Sequence, residues 1–145
     1  MLFYILLAIV AGALGGIHLP INGALGERIQ SPLVATFAFY GVAFGVICAV
    51  SIAFAPKGAF AALAAAPRWY LLAGVISVLV VGTSTYLIPR LGAVGLFVVF
   101  VTAQLAVRML LSHFGWLGSP VSPINGLKVL GSALLLIGAV LVVSD

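Results

Sequence analysis

Charged and redox-active side chains are scarce in this chain. Its 145 residues include six Lys and Arg residues and only two acidic ones, Glu27 and Asp145. The single cysteine, Cys48, excludes a disulfide framework, and no metal-ligand spacing is present. The sequence also lacks a nucleophile–base pair and a phosphate-binding loop. We therefore expect a protein that is not an enzyme and that uses neither a metal nor a cofactor.

Apolar sequence is what the chain has in abundance, because 65% of its residues are hydrophobic and the mean hydropathy is +1.40. An α-helix needs about 20 apolar residues to cross a hydrocarbon core of about 30 Å, and five stretches meet this requirement. They lie at about 2–24, 33–54, 69–88, 92–113 and 126–143. Runs such as Val78 to Val81 do not alternate as the strands of a membrane barrel do. The predicted fold class is therefore an all-α membrane protein, with a single five-helix transmembrane domain over residues 1–145.

The positive charge of the chain, formally +4, is carried by residues near the predicted helix ends. That position is typical of orientation signals and of contacts with head groups, so we expect membrane lipids rather than nucleic acid as partners. Four basic residues fall on the side of the N-terminus, namely Lys57, Arg68, Arg108 and Lys128, against Arg28 and Arg90 on the other side. This small excess favours a cytoplasmic N-terminus but permits insertion in either direction.

The second half of the first span carries polar residues at membrane depth. His18 and Asn22 are four apart, so they share one face of a helix, and Pro20 between them removes a backbone hydrogen bond. Polar side chains at this depth usually face a cavity or a partner helix rather than lipid. We expect His18 and Asn22 to line a substrate cavity, with His18 as the best candidate for any coupling to protons. The alternative is a kinked helix in which His18 bonds a neighbouring carbonyl.

Other polar residues are distributed over the next three spans. We expect Tyr40, Ser84 and Gln104 to line the same cavity, although Tyr40 has the alternative of filling a gap in the core. The hydroxyls around Ser84 can also satisfy neighbouring carbonyls. Arg108 is a candidate contact for an anionic group of the substrate. Snorkelling to lipid head groups is the more common role of such a residue.

Small residues recur at spacings that let membrane helices approach closely. A GxxxG pattern occurs in the first span at Gly12–Gly16 and in the second at Gly41–Gly45. Gly131 and Gly138 are seven apart on one face of the last span. These residues indicate either packing within the chain or, most of all at Gly131 and Gly138, contact with a second subunit.

Three segments resemble a known family. Residues 15–26, which read GGIHLPINGALG, resemble the opening of the small five-helix YdcZ-like proteins, a branch of the drug/metabolite transporter superfamily. Residues 104–118, which contain HFGWLG, look like that family's fourth-helix signature. The ending at 131–138 is similar to the last helix of transporter repeats across the superfamily. The resemblance covers nearly the whole chain, and the middle motif is the more specific one.

The resemblance implies half of an inner-membrane transporter. Larger members look like two five-helix repeats in inverted orientation, with the substrate site between them near the midplane. A chain of one repeat would then form an antiparallel dimer with itself or with an oppositely inserted paralogue, and would act as a secondary transporter of small organic solutes by alternating access. The family commonly has Gln where this chain has His18, and an acidic residue where it has Ser112. These departures favour a paralogue as the partner.

Two other functions stay open at this point. A non-transporting accessory or assembly subunit would use the polar residues only to satisfy backbone groups. A paired lipid-carrier flippase would open laterally and place Arg108 against a lipid phosphate.

Overall fold

Helices account for all regular structure in residues 1–144, the part of the chain that the computed structural model describes. The α-helices are α1 (Leu2–Arg28), α2 (Pro32–Phe54), α3 (Ala59–Ala65), α4 (Leu72–Phe114) and α5 (Gly126–Val143). Short 3-10 helices occur at Arg68–Leu71 and Trp116–Gly118. Three segments are long and apolar enough to cross a membrane: α1, α2 and Arg68–Phe114. The predicted all-α membrane fold is confirmed.

The longest helix, α4, contains two segments of membrane length. Its 43 residues would extend about 64 Å as a straight helix, twice the thickness of a hydrocarbon core. Gly92 interrupts it with φ 73° and ψ 155°, backbone angles that are open essentially to glycine alone. The segments on either side, 72–91 and 93–114, correspond to the predicted third and fourth spans. The break therefore falls at Gly92, just beyond Pro89 and the charged residue Arg90.

Local signals explain where two of the helices begin. Ser31 caps α2, because its Oγ accepts a hydrogen bond from the backbone N–H of Val34 at 3.3 Å. Asn125 caps α5 in the same way, accepting from the N–H of Lys128 at 2.9 Å. Inside α1, Pro20 does not end the helix, which continues to Arg28. The residues on either side of Pro20 therefore keep one helical register.

The chain divides into two compact units, Met1–Arg90 and a second unit that begins at Leu91. In the first unit, α1, α2 and the first segment of α4 pack together near the turn that follows α1. The residues buried there are Asn22, Gly23, Gly26, Ala35, Thr36, Val81, Ser84 and Thr85. Residues 1–14, 41–47 and 71–80 are all exposed. The unit therefore leaves the apolar side chains at the other end of its helices uncovered.

Close approach of the helices depends on Gly23 and Gly26. A Cβ atom at Gly23 would lie 2.9 Å from Cγ2 of Ile88, and one at Gly26 would lie 2.8 Å from Cγ2 of Thr85. The glycines selected by their spacing behave differently, since a Cβ there would meet no described atom within 4 Å. They are Gly12, Gly16, Gly41, Gly45, Gly131 and Gly138. The close packing of the first unit thus uses other glycines, and a subunit contact at Gly131 and Gly138 stays a prediction.

Candidate substrate cavity

A cavity of about 640 Å³ lies between α1 and α2. Two polar and eight apolar residues line it: His18, Ile21, Asn22, Leu25, Ala38, Phe39, Val42, Ala43, Val46 and Ile47. On each helix these residues recur every three or four positions, as one helix face requires. Ile21, Val42 and Val46 are 60–70% exposed. The two helices therefore do not enclose the cavity on every side.

Asn22 is the anchored polar group of this cavity. It is only 4% exposed, and its Nδ2 donates a hydrogen bond to Oγ1 of Thr85 at 2.6 Å. The Thr85 hydroxyl donates in turn to the carbonyl of Val81 at 2.8 Å, so its oxygen can only accept from Asn22. This arrangement fixes the amide, with the nitrogen on Thr85 and the oxygen turned away from it.

The Oδ1 atom of Asn22 is consequently available to a ligand. It accepts no hydrogen bond from residues 1–144, whereas every buried side-chain oxygen or nitrogen among those residues has a partner. Oδ1 therefore keeps some exposure, and Asn22 lines the cavity. The amide is thus a polar group of fixed orientation in a cavity whose other lining residues, apart from His18, are apolar.

His18 lies on the same wall beside an aromatic ring. Its imidazole stacks on Phe39, with ring centroids 5.6 Å apart and an interplanar angle of 27°. Within the described residues it forms this contact rather than the hydrogen bond to a carbonyl that a kinked helix would have offered. Both residues line the cavity. His18 and Asn22 are brought together as their spacing predicts.

Tyr40 and Ser84 lie in the first unit but do not line this cavity. The hydroxyl of Tyr40 and Oγ of Ser77 are 2.6 Å apart, and this bond joins α2 to α4. Ser84 is fully buried, and its hydroxyl donates to the carbonyl of Val80 at 2.6 Å. Both hydroxyls are engaged within the unit, and a contact of Tyr40 or Ser84 with substrate stays a prediction.

The remaining predicted residues belong to the second unit. Gln104 is exposed on α4. Arg108 is also exposed and lines a separate cavity between α4 and α5, together with Gly131. Gly138 lies further along α5 and does not line that cavity. The roles predicted for these four residues in binding and in subunit contact stay predictions.

Sequence reasoning missed Thr85 and Phe39, which position the two polar residues of the cavity. Thr85 had a usable signal, because it belongs to the hydroxyl run at 83–85 and lies on the buried side of α4. Phe39 had none beyond its apolar character. Only the position of α1 beside α2 shows that Phe39 faces His18.

These features define an integral membrane protein of the α-helical class that contains a cavity large enough for a small organic solute. One family model matches residues 3–141, and its description is "Putative inner membrane exporter, YdcZ". Because the match covers nearly the whole chain, the protein belongs to the YdcZ family, and the predicted resemblance is confirmed. Family membership and the apolar helices together show an integral membrane protein and support a transporter role, in a family described as inner membrane exporters. No curated protein and no solved structure matches the chain.

Proposed function

We propose that the chain is one subunit of a secondary exporter for small, moderately apolar solutes that carry an N–H donor, amines and amides included. The observation that supports this proposal is that Oδ1 of Asn22 accepts no hydrogen bond from residues 1–144. The amide is held in place by the hydrogen bond from its Nδ2 to Oγ1 of Thr85 at 2.6 Å. A volume of about 640 Å³ falls within the range of small-molecule pockets, about 300–1,000 Å³. Such pockets combine apolar walls with a few fixed polar groups that orient the ligand.

The aromatic pair extends this specificity. His18 and Phe39 form adjacent faces on the cavity wall, and aromatic faces attract both planar solutes and cations. Glu27, the only acidic residue among residues 1–144, is not among the lining residues. A solute would therefore be selected by its N–H group and its apolar surface, and not by an ion pair with residues 1–144.

Export requires a partner that completes the cavity. Another subunit would cover the exposed apolar surfaces of this unit. These are the exposed residues of the cavity wall and the segments 1–14, 41–47 and 71–80. We propose that a second copy, or an oppositely inserted paralogue, packs in antiparallel fashion against the first unit. The two subunits then rock about the site, so that access alternates between the two sides of the membrane.

A matched pair of ligands tests the binding step. Naphthylacetamide has N–H donors, whereas its N,N-dimethyl amide has the same aromatic body and none. Titration of the purified full-length protein in detergent, read by naphthalene fluorescence, should show tighter binding of the primary amide. Asn22→Leu should weaken that binding about three- to tenfold, the value of one net hydrogen bond, and should leave binding of the dimethyl amide unchanged.

Tyr86→Phe provides the control, because it removes a hydroxyl from the first unit at a residue that does not line the cavity. Its binding of both ligands should match that of the unmodified chain. Equal affinity for the two amides, or equal losses in Asn22→Leu and Tyr86→Phe, would contradict the proposal. Efflux of the primary amide from cells expressing the chain, reduced in Asn22→Leu at equal protein levels, would then connect binding to export.

A further inference from the structure

The second unit contains a cavity of about 530 Å³ with two basic residues on its wall, which we call the cationic cavity. Its lining residues are Leu105, Arg108, Met109, Ser112, Ser122, Ile124, Lys128, Gly131, Ser132 and Leu135. The sequence from 91 to 144 contains no Asp or Glu. No side-chain carboxylate in residues 91–144 can therefore neutralise the two charges, and an anion that binds from outside those residues would do so.

Lys128 holds a fixed place on this wall. Its Nζ donates to the backbone oxygen of Ser122 at 3.1 Å, to Oγ of the same residue at 2.6 Å and to the backbone oxygen of Pro123 at 2.8 Å. All three acceptors are neutral, so none of them is a counter-ion for the ammonium group. Lys128 thus contributes a localised positive field rather than free donors.

Arg108 supplies the free donors. Its guanidinium is exposed and is not engaged by any residue of the described chain, 1–144. The planar fork of a guanidinium matches two oxygens of a phosphate in a way that a lysine ammonium does not. Arg108 lies six residues before the end of α4 at Phe114, about 9 Å along the helix axis. Its long side chain can therefore extend to the head-group level of the bilayer.

The cationic cavity continues into a second cavity of about 300 Å³ that is almost wholly apolar, which we call the apolar groove. Its lining residues are Thr102, Leu105, Ala106, Met109, Leu110, Ile124, Ser132, Leu135 and Leu136. Five of them also line the cationic cavity: Leu105, Met109, Ile124, Ser132 and Leu135. From Met109 to Thr102 the groove follows α4 for seven residues, about 10 Å. A charged chamber at the loop end thus leads into a hydrocarbon-lined path.

We propose that the cationic cavity and the apolar groove form one site for an anionic phospholipid. The phosphate lies against Arg108 in the field of Lys128, and one acyl chain occupies the groove. Free phosphate would leave the groove unfilled, and a zwitterionic head group would bring a cation to a wall without a carboxylate. The site lies wholly within the second unit, so it does not depend on solute binding at Asn22.

Native mass spectrometry of the full-length protein, released from detergent micelles, tests this site by resolving single lipid adducts. Phosphatidylglycerol should bind more tightly than phosphatidylcholine of the same acyl chains. Arg108→Gln should weaken the phosphatidylglycerol adduct about tenfold, as expected for loss of a charge-assisted contact. Arg68→Gln removes the same charge from the other unit and should leave the adduct unchanged.

A groove-filling variant and a soluble competitor distinguish binding of a lipid from binding of a free phosphate, and a conservative variant replaces Arg108→Gln if that variant does not fold. Ala106→Phe fills the apolar groove without changing charge, so it should weaken the lipid adduct. Soluble glycerol phosphate at the same concentration should not displace the lipid. Should Arg108→Gln fail to fold, Arg108→Lys, which keeps the charge and loses the fork, should give an intermediate affinity. Equal binding of the two lipids, equal effects of Arg108→Gln and Arg68→Gln, or displacement by glycerol phosphate would overturn the proposal.

Discussion

Gly26 lies at the packed end of the first unit, and the variant Gly26→Ala adds one methyl group there. The new Cβ would lie 2.8 Å from Cγ2 of Thr85 and 3.3 Å from Cα of Pro32, both closer than ordinary van der Waals contact. Thr85 cannot simply turn its methyl group away, because its Oγ1 would then leave the carbonyl of Val81 and the amide of Asn22. Relief of the clash therefore requires either that the helices separate or that these hydrogen bonds break.

The size of the effect follows from two opposing terms. Overpacking of this kind costs about 1–3 kcal/mol, and replacing glycine by alanine inside a helix returns about 1 kcal/mol. We expect Gly26→Ala to lower the free energy of unfolding by up to about 2 kcal/mol, which is about 1–3 kcal/mol less stable than an alanine that meets no clash. Gly74→Ala is the matched control, because a Cβ at Gly74 meets no described atom within 4 Å. Its stability should be unchanged or raised by up to about 1 kcal/mol.

Unfolding of the purified variants in mixed micelles with increasing SDS, followed by far-UV circular dichroism, measures both effects. Thr85→Ser sharpens the experiment, because it removes the clashing methyl group and keeps the hydroxyl oxygen that accepts from Asn22. In that background Gly26→Ala should cost less, with a coupling energy of about 1 kcal/mol. Strictly additive effects, or a Gly26→Ala variant as stable as Gly74→Ala, would refute the reasoning.

Two further predictions concern the break in α4 and the insertion of the chain. Gly92→Ala should lower the free energy of unfolding by about 1–3 kcal/mol, because φ 73° and ψ 155° are angles that alanine avoids. Gly95→Ala is the control, because Gly95 lies at a helical position, and it should not lower the free energy of unfolding. Equal stability of the two variants would contradict a break at Gly92. A cysteine placed beside Asp145 in a Cys48→Ala background should react with an impermeant reagent in about half of the chains if subunits insert both ways. Labelling from one side only would exclude an antiparallel homodimer and would leave either an oppositely inserted paralogue or a parallel assembly.

The helix bounds were largely predictable because they depend on local properties. The predicted spans 33–54 and 126–143 match α2 (Pro32–Phe54) and α5 (Gly126–Val143) within one residue, since apolar length and capping residues are read directly from the sequence. The break in α4 was less predictable. Apolar length says how far a helix can extend, whereas the place where the backbone turns depends on φ and ψ. Pro89 and Arg90 indicate that the helix is interrupted close to them, but Gly92 is the residue that has non-helical backbone angles.

The candidate site was predictable where it depends on one helix and not where it depends on three. His18 and Asn22 share a face of α1, so their spacing was enough to place them on one wall. The partner of a hydroxyl depends instead on which helix lies beside it. Tyr40 bonds Ser77 across a helix pair, and Ser84 turns back to its own helix. A sequence pattern along one segment does not indicate which helix lies beside a hydroxyl or whether that hydroxyl bonds its own helix.

The placement of the few acidic residues limits the charge that this chain can accept in a solute. Glu27, the only carboxylate in residues 1–144, is exposed near the end of α1 and lines neither cavity. A permanently cationic solute between α1 and α2 would find the oxygen of Asn22 and the ring faces of His18 and Phe39, which contribute about 0.5–2 kcal/mol through cation–π contact. A homodimer would duplicate this lack of a counter-ion, whereas a paralogue that carries an acidic residue on its solute cavity would supply one. We therefore expect a homodimer to export neutral solutes with N–H groups, and the export of permanent cations to require the paralogue.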